Sequence, residues 1–269
     1  MLATPTMTPQ EFAHFQRFVA QMAGIHLSAA KIPLVAGRLS ARLRHYRFAS
    51  YGAYFRLLSS GKAPEEVQVA VDLLTTHETS FFREMPHFTF LRDTVLPAHQ
   101  AGQPFRVWSA ACSSGEEPYS IAMLLADCLG ERPWELLASD ISTGSLAKAQ
   151  AGHYPMERAA RIPQEYLAAY CLKGVGRQTG TFLIADVLRR RLRFAVINLN
   201  ASLPQIEPVD VIFVRNVMIY FDAPTKTQVV QRLRTVLRPA GYLFIGHSES
   251  LHGLTTTFKL VCPGVYRLQ

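Results

Sequence analysis

The segment Phe105–Ser120 reads FRVWSAACSSGEEPYS and decides the fold. Its first part, Phe105–Ala111, is short and mostly apolar, which predicts a buried strand. The small residues that follow predict a tight turn, and Glu117–Leu129 then has the composition of a helix. Pro118 stands in the first turn of this helix and Gly130 just past its end, which are favoured positions for both. A strand, a tight turn and a helix in this order open an α/β sheet.

Apolar strands alternate with helices through the rest of the chain. A second long helix is predicted at Pro224–Leu237, where Pro239 and Gly241 stop it. The last segments, Phe258–Val261 and Val265–Arg267, predict an antiparallel hairpin. The predicted core strands are Phe105–Ala111, Leu136–Ser139, Leu192–Ile197, Val209–Val214 and Tyr242–Gly246. This alternation predicts an α/β fold with a doubly wound, open sheet.

An insertion separates the second and third predicted core strands. It covers roughly Tyr154–Arg191, which is too long for a plain crossover between two strands. It contains a glycine-spaced loop, Lys173–Gly180, and a short strand-like segment, Thr181–Ile184. We expect a small subdomain on the sheet, with an exposed strand edge that can accept an extended peptide of a partner.

The positive charge is concentrated near the start of the 269-residue chain. The protein has 28 Lys and Arg against 20 Asp and Glu, and the stretch between Phe12 and Pro64 contains no acid. Apolar residues recur there at helical spacing, which predicts a small all-helical unit. Lys31, Arg38 and Arg42 are spaced so that they form one stripe on a helix. The stripe is either a solvated basic face or a surface for an acidic partner.

Composition and cysteine spacing exclude several classes of protein. There is no run of about eighteen apolar residues, and the first ten residues lack a basic start, so neither membrane insertion nor secretion is expected. The four cysteines form no Cys-x-x-Cys pair, which argues against a zinc knuckle or a disulfide framework. His247 and His252 do not have helical ligand spacing, and no metal is predicted. We expect reduced thiols and a cytoplasmic protein.

Polar side chains follow the first two core strands, where ligands bind in open parallel sheets. Glu116 and Glu117 occupy the start of the helix after the first strand, and a phosphate would require that position to be free of acids. Asp140 ends the second strand, where a carboxylate can accept both hydroxyls of a ribose. It can equally cap the helix that follows. This part of the sheet favours a ligand with ammonium or hydroxyl groups over a pyrophosphate.

The third and fourth strand ends complete the pattern. Asn198 and Leu199 follow the third strand, where an amide and an apolar neighbour can bind an adenine or simply form an asparagine turn. Arg215 and Asn216 interrupt an apolar run, and a charge in such a run is rarely buried without a partner. The four strand ends outline an adenosine site without a phosphate cradle. S-adenosylmethionine fits this outline without being required by it.

Five longer segments carry these residues and point to a family. They are Thr75–Glu84 (TTHETSFFRE), Val107–Ser120 (VWSAACSSGEEPYS), Ala138–Ile141 (ASDI), Phe213–Phe221 (FVRNVMIYF) and Gly246–Ser250 (GHSES). In these segments, and over nearly its whole length, the chain resembles the chemotaxis receptor methyltransferases, the CheR family. Several long motifs in the same order are not expected by chance.

The resemblance implies a fold, a division into domains and a reaction. A basic, all-α receptor-recognition domain at 1–76 precedes a class I, Rossmann-like S-adenosylmethionine-dependent methyltransferase domain at 77–269. A small β-subdomain at about 154–191 is inserted in the second domain. The implied reaction transfers a methyl group from S-adenosylmethionine to glutamate side chains of chemoreceptor signalling domains. The products are glutamyl methyl esters and S-adenosylhomocysteine, and the reaction serves chemosensory adaptation.

The resemblance also implies roles for individual residues. Arg83 and Tyr220 are expected near the transferred methyl group, where they help to place the substrate carboxylate. The family usually has asparagine at the position of His77, so we expect a modified contact there. The implied cofactor contacts are His77, Thr79, Arg83, Glu117, Asp140, Asn198, Leu199, Arg215 and Asn216.

The expected partners are methyl-accepting chemoreceptors. Their signalling domains are helical bundles with acidic methylation regions, so Lys31, Arg38 and Arg42 are predicted to steer the contact. A receptor's C-terminal peptide is a further candidate partner, for the inserted subdomain. We expect recruitment to receptor arrays, with no nucleic acid partner and no direct membrane insertion.

Two other functions stay open. A methyltransferase acting on RNA or on a small molecule would use the same cofactor fold, and the basic charge would suit RNA. A non-catalytic adaptor would bind S-adenosylmethionine as a sensor and dock on receptors. The presence of both Arg83 and Tyr220 argues against the adaptor.

Overall fold

Four helices at the start of the chain pack into a bundle in the computed structural model, which describes residues 5–99, 102–254 and 257–269. Its core includes Phe15, Leu39 and Tyr54, all of them fully buried. Thr8 and Glu11 form a capping box at the start of the first helix, each side chain accepting from the other's backbone N–H. The helices are α1 (Pro9–Ala23), α2 (Ile32–Tyr46), α3 (Tyr51–Ser59) and α4 (Pro64–Leu74).

A buried glutamate joins the helices of this bundle. Glu66 on α4 is 4% exposed and accepts from Arg42 Nε at 2.8 Å, Tyr46 OH at 3.0 Å and Tyr54 OH at 2.6 Å. Burial alone would raise the pKa of Glu66, but the hydrogen bonds from these three side chains outweigh it and lower the pKa. The ionised carboxylate therefore fixes α4 against both α2 and α3.

The basic stripe on α2 is not free of acidic partners. Glu66 lies just beyond the acid-free stretch and pairs with Arg42 only in the folded bundle. Arg38 Nη1 donates to two carbonyl oxygens at the end of α4, at 2.8 and 3.1 Å. Lys31 is exposed, whereas both arginines are half-buried. The two arginines therefore also bind α4, which the spacing along one helix does not show.

Ten strands form two sheets in the ranges that the structure describes. They are β1 (Phe105–Ala110), β2 (Trp134–Asp140), β3 (His153–Pro155), β4 (Cys171–Lys173), β5 (Thr181–Ile184), β6 (Leu192–Val196), β7 (Val209–Phe213), β8 (Leu237–Phe244), β9 (Phe258–Cys262) and β10 (Val265–Leu268). The larger sheet has the order β6-β2-β1-β7-β8-β10-β9. Its first five strands are parallel, and β10 and β9 form the predicted antiparallel hairpin. The predicted α/β fold with an open sheet is confirmed.

Helices cover both faces of the larger sheet. Val107 on β1 packs toward α6, and its neighbour Trp108 packs on the opposite face with α10, since successive strand residues point to opposite sides. None of the described helices is long and apolar enough to cross a membrane. The helices of this region are α5 (Met85–Phe90), α6 (Glu116–Leu129), α7 (Thr143–Ala151), α8 (Gln164–Tyr170), α9 (Asp186–Arg189) and α10 (Ala223–Val236).

Strand β8 begins earlier than the sequence predicts. The predicted strand starts at Tyr242, after a loop with Pro239 and Gly241, but β8 already pairs with β7 at Leu237. A register irregularity in this pairing and a left-handed φ of 61° at Ala240 absorb the proline within the strand. The sequence pattern could not show this because a proline usually ends regular pairing.

The smaller sheet belongs to the inserted segment. It is antiparallel with the order β3-β5-β4, and the predicted strand-like segment is its central strand, β5. Strands β3 and β4 were not predicted, since both are only three residues long. Both form edges of this sheet. We call the sheet, together with all residues from the start of β3 to the end of β5, the β-subdomain.

We expect Glu66→Gln to destabilise the helical bundle. The amide keeps the shape but leaves Arg42 without its charge partner, which costs about 3 kcal/mol because breaking a largely buried pair is expensive. Urea unfolding of the full chain measures the loss, and Glu65→Gln, at an exposed neighbour, is the control.

The same pair gives a pH dependence. The folded pKa of Glu66 lies below its ordinary value of 4.5, so its stabilisation is present above pH 4.5 and lost as the pH falls through the folded pKa. The stability difference between the wild type and Glu66→Gln should therefore shrink below pH 4.5. A constant difference down to pH 3 would contradict this assignment.

Candidate functional site

A cleft lies beyond the carboxyl ends of β1, β2, β6 and β7. It holds about 640 Å³ of space that no protein atom fills, part of it open to solvent. The order of the strands reverses between β1 and β7, and ligands bind at such switch points in open sheets. Residues from the end of α1 and from the region of the larger sheet line it. They include Ala23, Ile25, His77, Ser113, Asp140, Ile141, Asn198, Leu199, Arg215, Asn216 and Tyr220.

The turn after β1 is held in place by β2. The backbone N–H groups of Ala111 and Cys112 both donate to the Ser139 carbonyl oxygen, each at 2.8 Å. The N–H of Ser113 donates to Asp140 Oδ2 at 2.8 Å. Ala111 and Ser113 have left-handed φ values of 72° and 51°, which such surrounding bonds must impose on residues other than glycine. The turn is therefore rigid where it faces the cleft.

Asp140 presents a carboxylate with remaining acceptor capacity. It is 7% exposed, and it accepts from the N–H of Ser113 at 2.8 Å and from the N–H of Ser142 at 2.9 Å. Burial raises the pKa of Asp140 despite these bonds. Ser142, and not Asp140, caps α7 through the N–H of Ser145. Each oxygen takes one bond from the chain, so both can still accept from two adjacent hydroxyls.

The end of α1 closes one side of the cleft. Asn198 Nδ2 donates to the Met22 carbonyl oxygen at 2.6 Å, and the N–H of His26 donates to the Tyr220 carbonyl oxygen at 2.8 Å. Ile25 lines the cleft from the same segment. Sequence reasoning missed this wall, because no local signal shows which helix of the first domain meets the sheet. The N-terminal bundle therefore contributes directly to the site.

Asn198 combines the two interpretations given to it. Its Oδ1 accepts from the N–H of Asn200 at 2.9 Å, so it does form an asparagine turn. It also lines the cleft beside Leu199, which is 7% exposed. The amide thus builds the wall, and Leu199, Ile141 and Ile25 supply apolar surface suited to a planar ring.

Arg215 is the buried centre of an ion-pair network. The residue is 6% exposed, and its Nη1 lies 3.0 Å from Glu117 Oε2 and its Nη2 2.9 Å from Glu84 Oε2. Nη2 also donates to the Arg83 carbonyl oxygen. Nε is buried and has no partner among the described residues. The prediction that Arg215 would need a partner is confirmed, and the structure supplies two carboxylates.

The two carboxylates of this network respond differently to burial. Burial raises the pKa of Glu117 and outweighs the opposing attraction of Arg215. Burial also acts to raise the pKa of Glu84, but hydrogen bonds from Arg215 and the N–H of His247 outweigh it and lower the pKa. When both are ionised the network carries one negative charge in excess, which suits a cationic group of a ligand.

Glu249 organises the loop that carries Asn216 and Tyr220. Its carboxylate accepts from the N–H groups of Gly246 at 2.6 Å, Asn216 at 2.8 Å and Ile219 at 3.1 Å. Asn216 has a left-handed φ of 58°, a conformation that asparagine tolerates better than most residues. The segment Gly246–Ser250 contributes to the family resemblance, but the sequence predicts no role for Glu249. Only the fold brings the N–H groups of Asn216 and Ile219 to its carboxylate.

Other predicted site residues lie outside the lining of the cleft. Arg83 is half-buried, and its Nη1 donates to the Glu78 carbonyl oxygen at 3.0 Å. The Thr79 carbonyl oxygen accepts from Arg158 at 3.0 Å. Glu117 lies behind Arg215, which does line the cleft. The structure thus places Thr79 and Arg83 on a segment beside the cleft, without bringing their side chains into its wall.

His77 lines the cleft, and its ring is anchored on one side. Its Nε2 lies 2.7 Å from Thr75 Oγ1 and 3.0 Å from the Asp72 carbonyl oxygen, and its own carbonyl oxygen accepts from Ser113 Oγ at 3.0 Å. Because a carbonyl oxygen only accepts, Nε2 carries the proton, and Nδ1 is the nitrogen left for a ligand.

A group of metal-ligand side chains lies next to the network. The ligand atoms of Glu84, His87 and His247 all lie within 4.8 Å of one another. Burial lowers the pKa of His87 to about 4. The carboxylate of Glu84 is already bonded to the cation of Arg215, so we assign the group to the ion-pair network and not to a metal.

The donor set of the cleft fits a nucleoside with a zwitterionic tail. Asp140 can accept from ribose hydroxyls, and the apolar wall suits the base. The unpartnered Nε of Arg215 can donate to a carboxylate, and the excess negative charge of the network suits an ammonium. S-adenosylmethionine has each of these groups and lacks a phosphate.

Comparison with known proteins identifies two domains in this order. Residues 10–75 match the family described as CheR methyltransferase, all-alpha domain. Residues 77–265 match the family described as CheR methyltransferase, SAM binding domain. Together these matches cover the bundle and the larger sheet as far as the first residue of β10.

Relatives match the chain almost end to end. Chemotaxis protein methyltransferase 2 of Pseudomonas aeruginosa is 42% identical over 262 residues, which cover 96% of this chain and 93% of that protein. Chemotaxis protein methyltransferase of Escherichia coli is also 42% identical over 262 residues, covering 95% and 91%. Since both domains and these relatives agree, the chain belongs to the CheR methyltransferase family, as an enzyme that uses S-adenosylmethionine.

Proposed function

We propose that the protein methylates glutamate side chains in the signalling domains of chemoreceptors. The products are glutamyl methyl esters and S-adenosylhomocysteine, and the reaction adapts the receptors to a persistent signal. The observation that carries the proposal is membership of the family across both domains, together with relatives named for chemotaxis. The cleft adds support, since its donors suit the cofactor.

The residues of the chain bind the cofactor and promote the reaction by positioning it. S-adenosylmethionine, when bound, supplies an electrophilic methyl group. We assign Asp140 to the ribose hydroxyls, and Leu199 with Asn198 to the adenine wall. Arg215 and Asn216 bind the amino acid end, with Glu117 behind Arg215.

No general base is required for this reaction. The ordinary pKa of a glutamate carboxylate lies well below neutral pH, so the group is already ionised there. The enzyme must align its oxygen with the methyl group, and alignment alone can supply roughly 7 to 11 kcal/mol of the barrier. The task of the protein is therefore geometric.

Arg83 and Tyr220 are the residues we assign to placing the substrate carboxylate. Tyr220 lines the cleft, which supports its role. The Arg83 guanidinium donates to the Glu78 carbonyl oxygen, and a substrate carboxylate can replace this neutral acceptor, because its negative charge makes the hydrogen bond stronger. His77 and Thr79, on the same segment as Arg83, complete the proposed cofactor contacts.

The receptor contact is assigned to the N-terminal bundle. Lys31, Arg38 and Arg42 lie on or next to α2, and an acidic bundle of helices is the complementary partner. Lys31 is exposed and suits steering, whereas the two arginines also bind α4 and shape the surface. The proposed place of action is the cytoplasmic end of receptor arrays.

A second receptor contact is proposed at the β-subdomain. Strand β4 is an edge of the small sheet, with Leu172 57% exposed and Val175, in the following loop, 79% exposed. An edge with free backbone groups and apolar neighbours accepts an extended peptide as an added strand. A receptor's C-terminal peptide, paired with this edge as an added strand, would hold the enzyme near its substrate.

The reaction is tested with methyl-labelled S-adenosylmethionine and receptor-containing membranes. Label that mild base releases as methanol identifies a carboxyl ester, and its presence in a receptor-sized band supports the proposal. Incorporated label that resists base would indicate that the substrate is RNA or another group. Tight cofactor binding without any incorporation would favour the adaptor.

We expect Arg83→Ala to lower kcat for receptor methylation by about 100-fold or more, the usual cost of losing an oriented donor in a reaction centre. The rate of methanol-releasable label measures it. Arg92→Ala is the matched control, because Arg92 pairs at the surface with its neighbour Asp93, and such pairs contribute little. A kcat close to that of the wild type would remove Arg83 from the mechanism.

We expect Lys31→Glu to raise the KM for the receptor about three- to tenfold, with cofactor affinity unchanged, because reversing a rim charge slows encounter. The effect should fade as salt is added. Lys62→Glu, an exposed lysine of the same domain, is the control. An equal effect of both substitutions would mean that only net charge matters.

A further inference from the structure

The segment Thr79–Glu84, which presents Arg83 beside the cleft, has a strained backbone. Phe82 and Glu84 have left-handed φ values of 48° and 60°, so Arg83 lies between two residues that rarely adopt this conformation. Such conformations persist only where the surroundings fix them. The contacts that fix this segment therefore control where Arg83 points.

Aromatic packing ties the segment to the β-subdomain. The ring of Phe81 lies 5.1 Å from that of Tyr154 on β3 and 5.8 Å from that of Phe182 on β5, measured between centroids. The ring of Phe82 stacks on Tyr166 of α8 at 5.6 Å. Phe81 and Phe82 are both buried, so the residues just before Arg83 form part of the subdomain's core.

Two arginines of the β-subdomain bind the same segment through polar contacts. Arg158 Nη1 donates to the Thr79 carbonyl oxygen at 3.0 Å and lies 3.5 Å from Glu116 Oε1. Arg161 Nη1 donates to Ser80 Oγ at 3.3 Å. The side chain of Glu116 is 1% exposed and stands at the start of α6. Arg158 thus bridges the segment and the helix that follows the cofactor turn.

The subdomain also touches that turn directly. Tyr154 OH donates to the Ser114 carbonyl oxygen at 2.7 Å. Gly115 has a φ of 97°, and a Cβ there would lie 2.8 Å from Tyr154 OH and 2.8 Å from Ala149 Cβ. The close approach explains why a glycine is required. One face of the subdomain therefore contacts both elements that meet at the site.

We propose that the β-subdomain has a second role besides docking, as the support that positions Arg83, with Arg158 as a positioning residue for methyl transfer. The inference rests on the proposed function for the role of Arg83, but the support itself is independent of the substrate. The side chain of Arg158 is 47% exposed, so its contribution is the bridge to Thr79 and Glu116 and not core packing.

The test compares Arg158→Ala and Arg158→Lys with a matched control. Arg190→Ala removes a cation at the end of α9, where Arg190 pairs with Asp186 at the surface and is 81% exposed. Each full-length variant is assayed with a receptor lacking its C-terminal peptide, so that docking does not contribute. The measurements are kcat, the KM for receptor, the melting temperature, and hydrogen exchange of residues 79–84 without substrate.

We expect Arg158→Ala to lower kcat about tenfold, as a misplaced catalytic group does, and to speed exchange at 79–84 severalfold. The KM for receptor and the melting temperature should stay within about twofold and about 2 °C of the wild type. Lysine should restore part of kcat, because it keeps one donor. Arg190→Ala should match the wild type.

Two results would overturn the proposal. The first is unchanged kcat and unchanged exchange in Arg158→Ala. The second is a joint fall of kcat and melting temperature that lysine does not reverse, which indicates a merely structural role. If the wild type itself forms no base-labile ester, the proposed function fails instead, and the exchange measurement still decides whether Arg158 holds the segment.

Discussion

One guanidinium buried between two carboxylates is the interaction on which the site depends. Arg215 follows β7, Glu117 stands at the start of α6, and Glu84 ends the segment that carries Arg83. Removing Arg215 would leave both carboxylates in the interior without their cation, which is costly. The network therefore connects the sheet, the helix after the cofactor turn and the linking segment, and it gives the cleft its charge.

The site is assembled by contacts between segments far apart in the chain, and this limits what a sequence can predict. The strand ends follow from apolar runs and flanking polar residues, so Asp140, Asn198 and Arg215 could be predicted to face one edge of the sheet. Ile25 could not, because its place depends on how α1 packs against the loop after β6. Local patterns reveal strands, whereas they do not reveal which distant helix covers them.

The ion-pair partners of charged residues are likewise not predictable from local sequence patterns. The spacing of basic residues along α2 predicts that Arg42 lies on a stripe, but it does not reveal the ion-pair partner, Glu66 on α4. Arg215 was expected to have a partner, but the sequence could not choose between the many acids of the chain. Glu84 and Glu249 lay in recognised segments, and their roles depend on N–H groups and a guanidinium that only the fold brings within hydrogen-bonding distance.

The wall that α1 contributes to the cleft makes the two domains inseparable in one respect. Ile25 borders the cleft, and His26 and Met22 are bonded to loops of the larger sheet. The N-terminal bundle, to which we assign the receptor contact, therefore also forms part of the cleft. In a chimaera that carries the bundle of a relative, the wall of the cleft would change as well, so the proposed receptor contact and the cofactor affinity would change together.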